Sequence, residues 1–231
     1  MIQRRWGNGA DPLLFCRSFH AVYPKLARLA WQQKQVPAGH VLAAAGPEVT
    51  DLFYIIPGFW CFSLVDDQGN EAIQSFHGPG SLYPVKCRQF HFVLEPAFRY
   101  VALSPAQVLC LKPEAVQSLV RTDPDFAVAA LDFHTVYANM QSARLVIHQN
   151  VCAVQKVATF LYLAYPAWRQ QGQGIGLTQE QVAAVLGVSR VQVARAYRVL
   201  RQQKAIATHR SGVTILDMEK LKEHCSASFL F

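Results

Sequence analysis

Two kinds of apolar periodicity divide the chain. Between Val36 and Lys112, short β-prone runs (VPAGHVLAAAGP, DLFYIIPGFWCFSLVDDQGNEAIQSFHGPGSLY, FRYVALSPAQVLCLKP) are broken by turn residues, a pattern that predicts a compact antiparallel barrel or roll. Asp67-Gln68-Gly69-Asn70 predicts a hairpin turn between WCFSLV and EAIQSF, and His77-Gly78-Pro79-Gly80 marks another. No helical pattern lies between these runs to build parallel crossovers. From Pro124 the period lengthens, and DFAVAALDFHTVYANMQSARLVIHQ reads as one long helix. Phe126, Ala130, Phe133, Tyr137 and Met140 recur along it in steps of four and three, the spacing of a coiled-coil seam. About 25 residues at 1.5 Å each would span roughly 37 Å, which suggests the spine of a dimer. A helix packed along the roll satisfies the same pattern, because the seam lasts only about two heptads before Arg144 interrupts it.

Asn150 then stands where it would cap a further helix, VCAVQKVATFLYLAY, ending at Pro166, and AWRQQGQGIG reads as a Gly/Gln-rich loop. In LTQEQVAAVLGVSRVQVARAYRVL (177–200) the spacing is that of two short helices joined at Gly187. Val182, Val185 and Leu186 form the apolar face of the first; Val193, Ala196, Tyr197 and Leu200 form that of the second. Thr178 with Gln181, and Ser189 with Gln192, fit the capping box and mark both starts independently. Arg190, Gln192, Arg195 and Arg198 are left pointing outward. IATHRSGVTIL carries two β runs around Arg210-Ser211-Gly212, the pattern of a wing hairpin, and Asp217 is placed to cap a last helix, MEKLKEHC.

Charge sharpens this picture. The formal net charge is +7 over 231 residues. Residues 1–150 carry 12 Lys/Arg against 11 Asp/Glu, whereas residues 151–231 carry 10 against 4. Between Leu177 and Arg210 the bases are Arg190, Arg195, Arg198, Arg201, Lys204 and Arg210, and Glu180 is the only acid. Such a surface suits a polyanion, and on helices of this spacing the expected partner is double-stranded DNA.

Composition removes several classes. A 52% apolar content excludes a disordered tail protein, and no run reaches the length of a membrane span or a signal peptide, so a soluble cytoplasmic protein is expected. The six cysteines (16, 61, 87, 110, 152, 225) lie far apart without a C-x2-C pair, pointing to reduced thiols rather than a zinc knuckle or disulfide framework. Hydrolase elbows, phosphate-binding loops and dinucleotide fingerprints are absent, and no H-x-H serves a cupin-type metal enzyme. No enzyme activity and no cofactor are expected. His77, Cys87 and His91 form the set from which a haem or metal site could be imagined.

A roll with LFYIIPG and HGPGSL, a long helix, and L-T-Q-E-x-V-A-x-x-L-G-V-S-R-x-x-V-x-R followed by a wing together resemble the Crp/Fnr family of bacterial transcription regulators. The likeness covers most of the chain and is strongest from Leu177 to Leu216. It implies an α+β protein: an antiparallel β-roll like a cyclic-nucleotide-binding domain over residues 1–122, a dimerisation helix over 123–149, and a winged helix-turn-helix over 150–231. It further implies a homodimer on a near-palindromic operator, RNA polymerase as a partner if the protein activates, and a small-molecule effector in the roll. In the family's geometry the helix after Ser189, which carries Arg190, Val191, Gln192, Arg195 and Arg198, enters the major groove with Arg190, Val191 and Arg195 facing the bases, while Thr178, Ser189, Arg198, His209 and Arg210 meet the backbone. Phe126, Ala130, Phe133, Tyr137 and Met140 would form the dimer interface.

Departures from the family narrow the effector. Cyclic-AMP-binding members carry Gly-Glu and Arg-Ser pairs where this chain has Pro84-Val85 and Pro96-Ala97; without that arginine a buried phosphate is poorly compensated. Cys16 alone cannot hold an iron–sulfur cluster. Haem-binding relatives place ligands directly after the GPG turn, where Tyr83, Pro84 and Val85 stand here. VTILDMEKLKEH and VRTDPDFAVAALDFHTVYAN are similar to the branch that senses halogenated phenolic compounds. That resemblance implies an aromatic acid or phenol near Ser75, Val85, His134 and Tyr137, with Lys86 beside the site. The same branch carries valine at the position of Val191 and reads a TTAA-like half-site. A haem or redox sensor, and an effectorless regulator whose roll is only a scaffold, stay open.

Overall fold

The computed structural model describes residues 14–44, 51–83, 97–148, 151–170, 175–210 and 212–226. The chain divides between Asn139 and Met140 into two compact units.

The first unit is the roll. Its strands are β1 (Leu14–Phe15), β2 (Gln32–Val36), β3 (Val41–Ala44), β4 (Leu52–Ile55), β5 (Trp60–Val65), β6 (Glu71–His77), β7 (Leu82–Tyr83), β8 (Ala97–Ala102) and β9 (Ala106–Leu111). They form two sheets, β1-β6-β5-β8-β3 and β2-β9-β4-β7. Inward side chains of both sheets meet in one core that includes Val36, Phe53, Ile55, Trp60, Tyr100 and Val108. Strand β4, LFYI, is buried at every position. Phe53 and Ile55 face that core, and Tyr54 on the opposite face meets Tyr23 of helix α1 (Tyr23–Leu29) at 5.3 Å. A strand covered on both faces reads as an unbroken apolar run.

The antiparallel reading holds, with additions. Strand β1 pairs parallel to β6, Leu14 with Phe76 and Phe15 with His77, bringing a segment upstream of the predicted roll into the sheet. Strand β2, QQKQV, has no apolar alternation and escaped the pattern; it forms because all five residues pair with β9. The β5–β6 turn starts one residue earlier than expected. The Asp66 carboxylate accepts from the backbone N–H of Gln68 (2.9 Å) and of Asn70 (2.8 Å), and from the Asn70 side chain (2.8 Å). These bonds, that of the Asn70 side chain foremost, hold Asp66 below the usual carboxylate range.

Helix α2 (Pro113–Thr122), which the period did not reveal, leads into helix α3 (Pro124–His148), 25 residues long. The Asp123 carboxylate caps α3 by accepting from Phe126 N–H at 3.0 Å and also pairs with Lys25 of α1.

One correction concerns the stripe on α3. Phe126, Ala130, Phe133 and Met140 are buried within the single chain. Phe126 and Phe133 meet Phe19 at 5.6 and 5.8 Å, and Phe133 meets Phe15 at 4.9 Å. Tyr137, half-buried, meets Phe15 at 5.7 Å. Phe126 and Phe133 pack along the roll, so their rings are not open to a second chain. The opposite side of α3 exposes Val128 (57%) and Leu131 (67%).

The second unit holds α4 (Ala153–Gln170), α5 (Gln179–Leu186), α6 (Arg190–Gln202), a hairpin of β10 (Ile206–His209) and β11 (Gly212–Ile215), and α7 (Met218–Glu223). Helix α4 does not end at Pro166. It runs one more turn with Pro166 exposed, and that turn buries Trp168, so packing of the indole overrides the lost backbone hydrogen bond. The expected cap Asn150 lies outside the described residues. Asp217 caps α7 as expected, accepting from Glu219 and Lys220 N–H at 3.0 and 3.1 Å. No helix among the described residues is long and apolar enough to cross a membrane.

Candidate functional site

The second unit presents a basic surface from capped helices. At the start of α5 the Thr178 hydroxyl accepts from Gln181 N–H at 3.2 Å while Thr178 N–H donates to Gln181 Oε1 at 2.8 Å; Ser189 and Gln192 repeat the arrangement on α6 at the same distances. Between them Gly187 adopts φ 60°, ψ 39°, the left-handed conformation that ends α5 and turns the chain into α6. Val193, Ala196, Tyr197 and Leu200 are buried. Helical geometry then forces Arg190, Val191, Gln192, Arg195 and Arg198 outward, and all five are exposed. Val191, 58% exposed, is a large apolar side chain displayed at the start of a basic helix.

The wing continues this surface. Strands β10 and β11 pair from Ile206–Ile215 to His209–Gly212, and His209 and Arg210 at the tip are exposed. Gly212, at φ 143°, lies so close to the 175–176 backbone that a Cβ would meet the Ile175 carbonyl oxygen at 2.1 Å. Only glycine lets that segment come alongside β11, where Ile175 forms a single bridge to Val213 and Val213 N–H donates to Ile175 O at 3.0 Å. The Arg201 guanidinium braces α6 against the wing by donating to Thr208 Oγ1 at 3.1 Å. Arg190 is engaged within the protein: its Nε lies 2.8 Å from Glu180 Oε1, in a fully solvated pair that is worth little by itself. Arg144, which broke the seam, donates to the Val185 carbonyl at 3.1 Å and so satisfies a carbonyl at the C-terminal end of α5.

The predicted effector residues are only partly brought together. Ser75 is fully buried, and its Oγ lies 2.9 Å from His77 Nε2. Tyr137 reaches the same region through Phe15, which stacks on His77 at 5.4 Å. His134 is exposed and meets Phe133 edge-on at 5.5 Å, on a different side of the helix from the roll. Val85 and Lys86 lie outside the described residues, as do Cys87 and His91 of the imagined haem set. Among the described residues no group of three His, Cys, Asp or Glu side chains is arranged to hold a metal.

What the sequence reading missed is an aromatic cluster inside the roll. Register on β6-β5-β8 sets Ser75 opposite Phe62 and Phe62 opposite Tyr100; the next inward row is His77, Trp60 and Ala102. Period-2 spacing therefore puts Trp60, His77 and Tyr100 on one face. Trp60 stacks on Tyr100 at 5.5 Å, His77 meets Tyr100 at 5.7 Å, and Tyr83 closes the group at 4.6 Å from His77 and 5.0 Å from Tyr100. Burial alone pushes the His77 imidazole down to about 3 and, as the main cause, holds both tyrosine hydroxyls well above their ordinary range. Trp60 Nε1, His77 Nδ1 and Tyr100 Oη are buried without a hydrogen-bond partner. Each such group costs about 1–3 kcal/mol, a cost that a buried water or another small polar group beside the cluster would lower. The alternation was visible in WCF and SFH; the strand partners that join them were not.

Comparison with known proteins places these features. Residues 155–224 match the Crp-like helix-turn-helix domain family. Over 184 residues, 78% of this chain and 81% of the relative, the sequence is 23% identical to the cAMP-activated global transcriptional regulator CRP of Haemophilus influenzae. Among solved structures, FixK2 from Bradyrhizobium japonicum superposes with a TM-score of 0.70 at 15% identity, covering 85% of this chain and 98% of that one. CprK in complex with OCPA gives 0.63 at 14% identity, over 87% and 92%. At these identities the structural likenesses show the shared fold, and CprK stands no nearer than FixK2.

Proposed function

We propose that the chain is a DNA-binding transcription regulator of the Crp/Fnr type and not an enzyme, that it works in the cytoplasm as a homodimer reading an inverted A/T-rich operator, and that it answers to an effector in its roll other than cyclic AMP. The observation that carries the reading is the outward face of α6, where Arg190, Val191, Arg195 and Arg198 stand exposed on a helix capped at its start by Ser189. Arg195 and Arg190 are suited to bidentate contact with guanine O6/N7, and Thr178, Ser189, His209 and Arg210 to the phosphates. Val191 cannot accept a hydrogen bond from a cytosine amino group, but it gains apolar contact from a thymine methyl. Thymine is favoured at that base, which agrees with the TTAA-like half-site of the phenol-sensing branch.

Two such half-sites would lie about one helical turn, roughly 34 Å, apart on a two-fold axis. Val128 and Leu131, exposed opposite the buried stripe of α3, supply the apolar contact for a second copy. The effector reading is supported by the sealed polar cluster of Trp60, His77 and Tyr100. An activator of this design would also meet RNA polymerase.

Selection of operators from a random oligonucleotide pool tests the reading. The expected consensus is an inverted repeat with TTAA-like half-sites. A TGTGA-type consensus, or no palindrome, would overturn the role given to Val191. Light scattering checks the dimer: the wild-type chain should run at twice its mass and Leu131→Asp as a monomer.

A further inference from the structure

The side chain of Gln192 closes the cap of α6, and that bond fixes which of its atoms face outward. Its Oε1 accepts from Ser189 N–H at 2.8 Å, while Gln192 N–H donates to Ser189 Oγ at 3.2 Å. A backbone N–H can meet only the oxygen end of an amide, so the cap decides how the group is turned. Gln192 is exposed, and the end left to solvent is Nε2, with two donors. At about 100° per residue, Arg190 and Gln192 flank Val191 on either side of the helix, and Arg195 projects about 60° from Gln192. The amide therefore borders the outward face that carries Arg190, Val191 and Arg195.

An unconstrained glutamine is a different reader. Its amide lies along the edge of adenine, accepting from N6 and donating to N7. That contact needs oxygen and nitrogen side by side on one edge of the base. With Oε1 turned back to the Ser189 backbone, only donation remains. In the major groove guanine offers two acceptors, O6 and N7, and thymine offers O4, whereas cytosine presents only its N4 amino donor. Two donors set face to face leave both without an acceptor.

Resting on the DNA-reading role given to α6 above, we infer that Gln192 is a donor-only specificity residue, a fourth reader beside Arg190, Val191 and Arg195. Its Nε2 favours guanine or thymine in the half-site, rejects cytosine and makes no bidentate contact with adenine. Glutamate at this position would close the capping box equally well, but it would turn an acceptor to the bases and a negative charge to the phosphates. Glutamine keeps the cap and supplies the donor. The pair at α5, Thr178 with Gln181, uses an amide in the same way, but Gln181 is half-buried and borders no base-reading face.

Anisotropy titrations of the full-length protein test this on the selected operator and its single-base variants, changed symmetrically in both half-sites. In the wild type, one position of each half-site should hold guanine or thymine and lose about three- to tenfold in affinity when made cytosine. Gln192→Glu retains the capping box, so its circular dichroism and thermal unfolding should match the wild type while the preference at that position turns to cytosine or adenine. Gln192→Ala, which lacks both ends of the amide, should level the position to within about twofold. Gln181→Glu adds the same charge at the other cap and should weaken all variants of the operator alike. An unchanged base profile in Gln192→Glu and Gln192→Ala would overturn the inference. So would a wild-type preference for adenine that Gln192→Ala abolishes, since the amide would then have left the cap to read the base, or a shift of the same position by Gln181→Glu, which would assign the effect to charge. The reading on which this rests fails separately: a wild type that prefers no sequence removes the role of α6, whereas a preferred sequence with an unmoved profile removes only that of Gln192.

Discussion

The roll interior and the α5–α6 surface both concentrate polar side chains, and they treat them in opposite ways. On α5–α6, Thr178, Gln181, Ser189 and Gln192 satisfy the helix starts reciprocally, and the cations of α6 are solvated. Inside the roll, Trp60, His77 and Tyr100 each keep a polar atom sealed from water without a partner. The first arrangement is complete in the protein alone and offers its charge to something large. The second leaves donors and acceptors unmet inside the fold. A long-range electrostatic surface tolerates imprecise placement; a buried hydrogen-bond cluster does not.

The largest expected effect separates the two by salt. If a dimer neutralises about eight phosphates, the log-log slope of operator affinity against salt is near −7, and raising salt from 50 to 200 mM lowers affinity by about 10⁴. Urea unfolding of the roll, whose core rests on apolar and aromatic packing, should change by less than about 0.5 kcal/mol over the same range. Anisotropy titrations and urea unfolding measure the two, and a flat DNA response would remove the contrast.

Next comes the division of α3 into two faces. Phe133→Ala should destabilise the roll by about 3–5 kcal/mol in denaturant unfolding, because its ring is buried against Phe15 and Phe19. Leu131→Ala, on the exposed face, should leave the unfolding of the monomer within about 0.5 kcal/mol and weaken self-association instead. Equal losses of monomer stability would show that the helix has no free face.

Acid should strike the roll first. With the imidazole held near 3 in the folded protein and near its ordinary 6.5 when unfolded, unfolding takes up a proton between those values. The stability His77 contributes is therefore complete above about pH 6.5 and is lost as pH falls toward 3. Between pH 7 and pH 5 this amounts to about 2 kcal/mol, and His77→Gln should abolish that part of the pH dependence. An unchanged dependence in the variant would place the acid-sensitive group elsewhere.

The smallest effect concerns the solvated pair on the reading surface. Glu180→Gln releases Arg190 and removes an acid facing the phosphates, so operator affinity should rise by about 0.2–1 kcal/mol. A loss of affinity would mean that Glu180 holds Arg190 in its reading position.

The two regions also differ in how far local rules carry. The features that mark α5–α6 lie within a few residues of one another: Thr178 to Gln181, Ser189 to Gln192, a left-handed turn at Gly187, an apolar stripe at helical spacing. Such features are written in order along the chain, which is why the exposed set from Arg190 to Arg198 was legible before any fold was known. Strand β2 was illegible because its polar residues become a strand only by pairing with β9, some seventy positions away. The two faces of α3 could not be told apart by period, since apolar residues fall on both; Phe15 and Phe19, from the other end of the roll, decided which side is buried. Arg144 looked like a break in a seam and became a donor to α5 once Val185 came near it. The cluster at Trp60, His77 and Tyr100 depends on register across three strands, so its unpaired atoms emerged only when the sheets closed over them. Burial and long-range pairing are properties of the folded whole, and they settled what the spacing of residues left open.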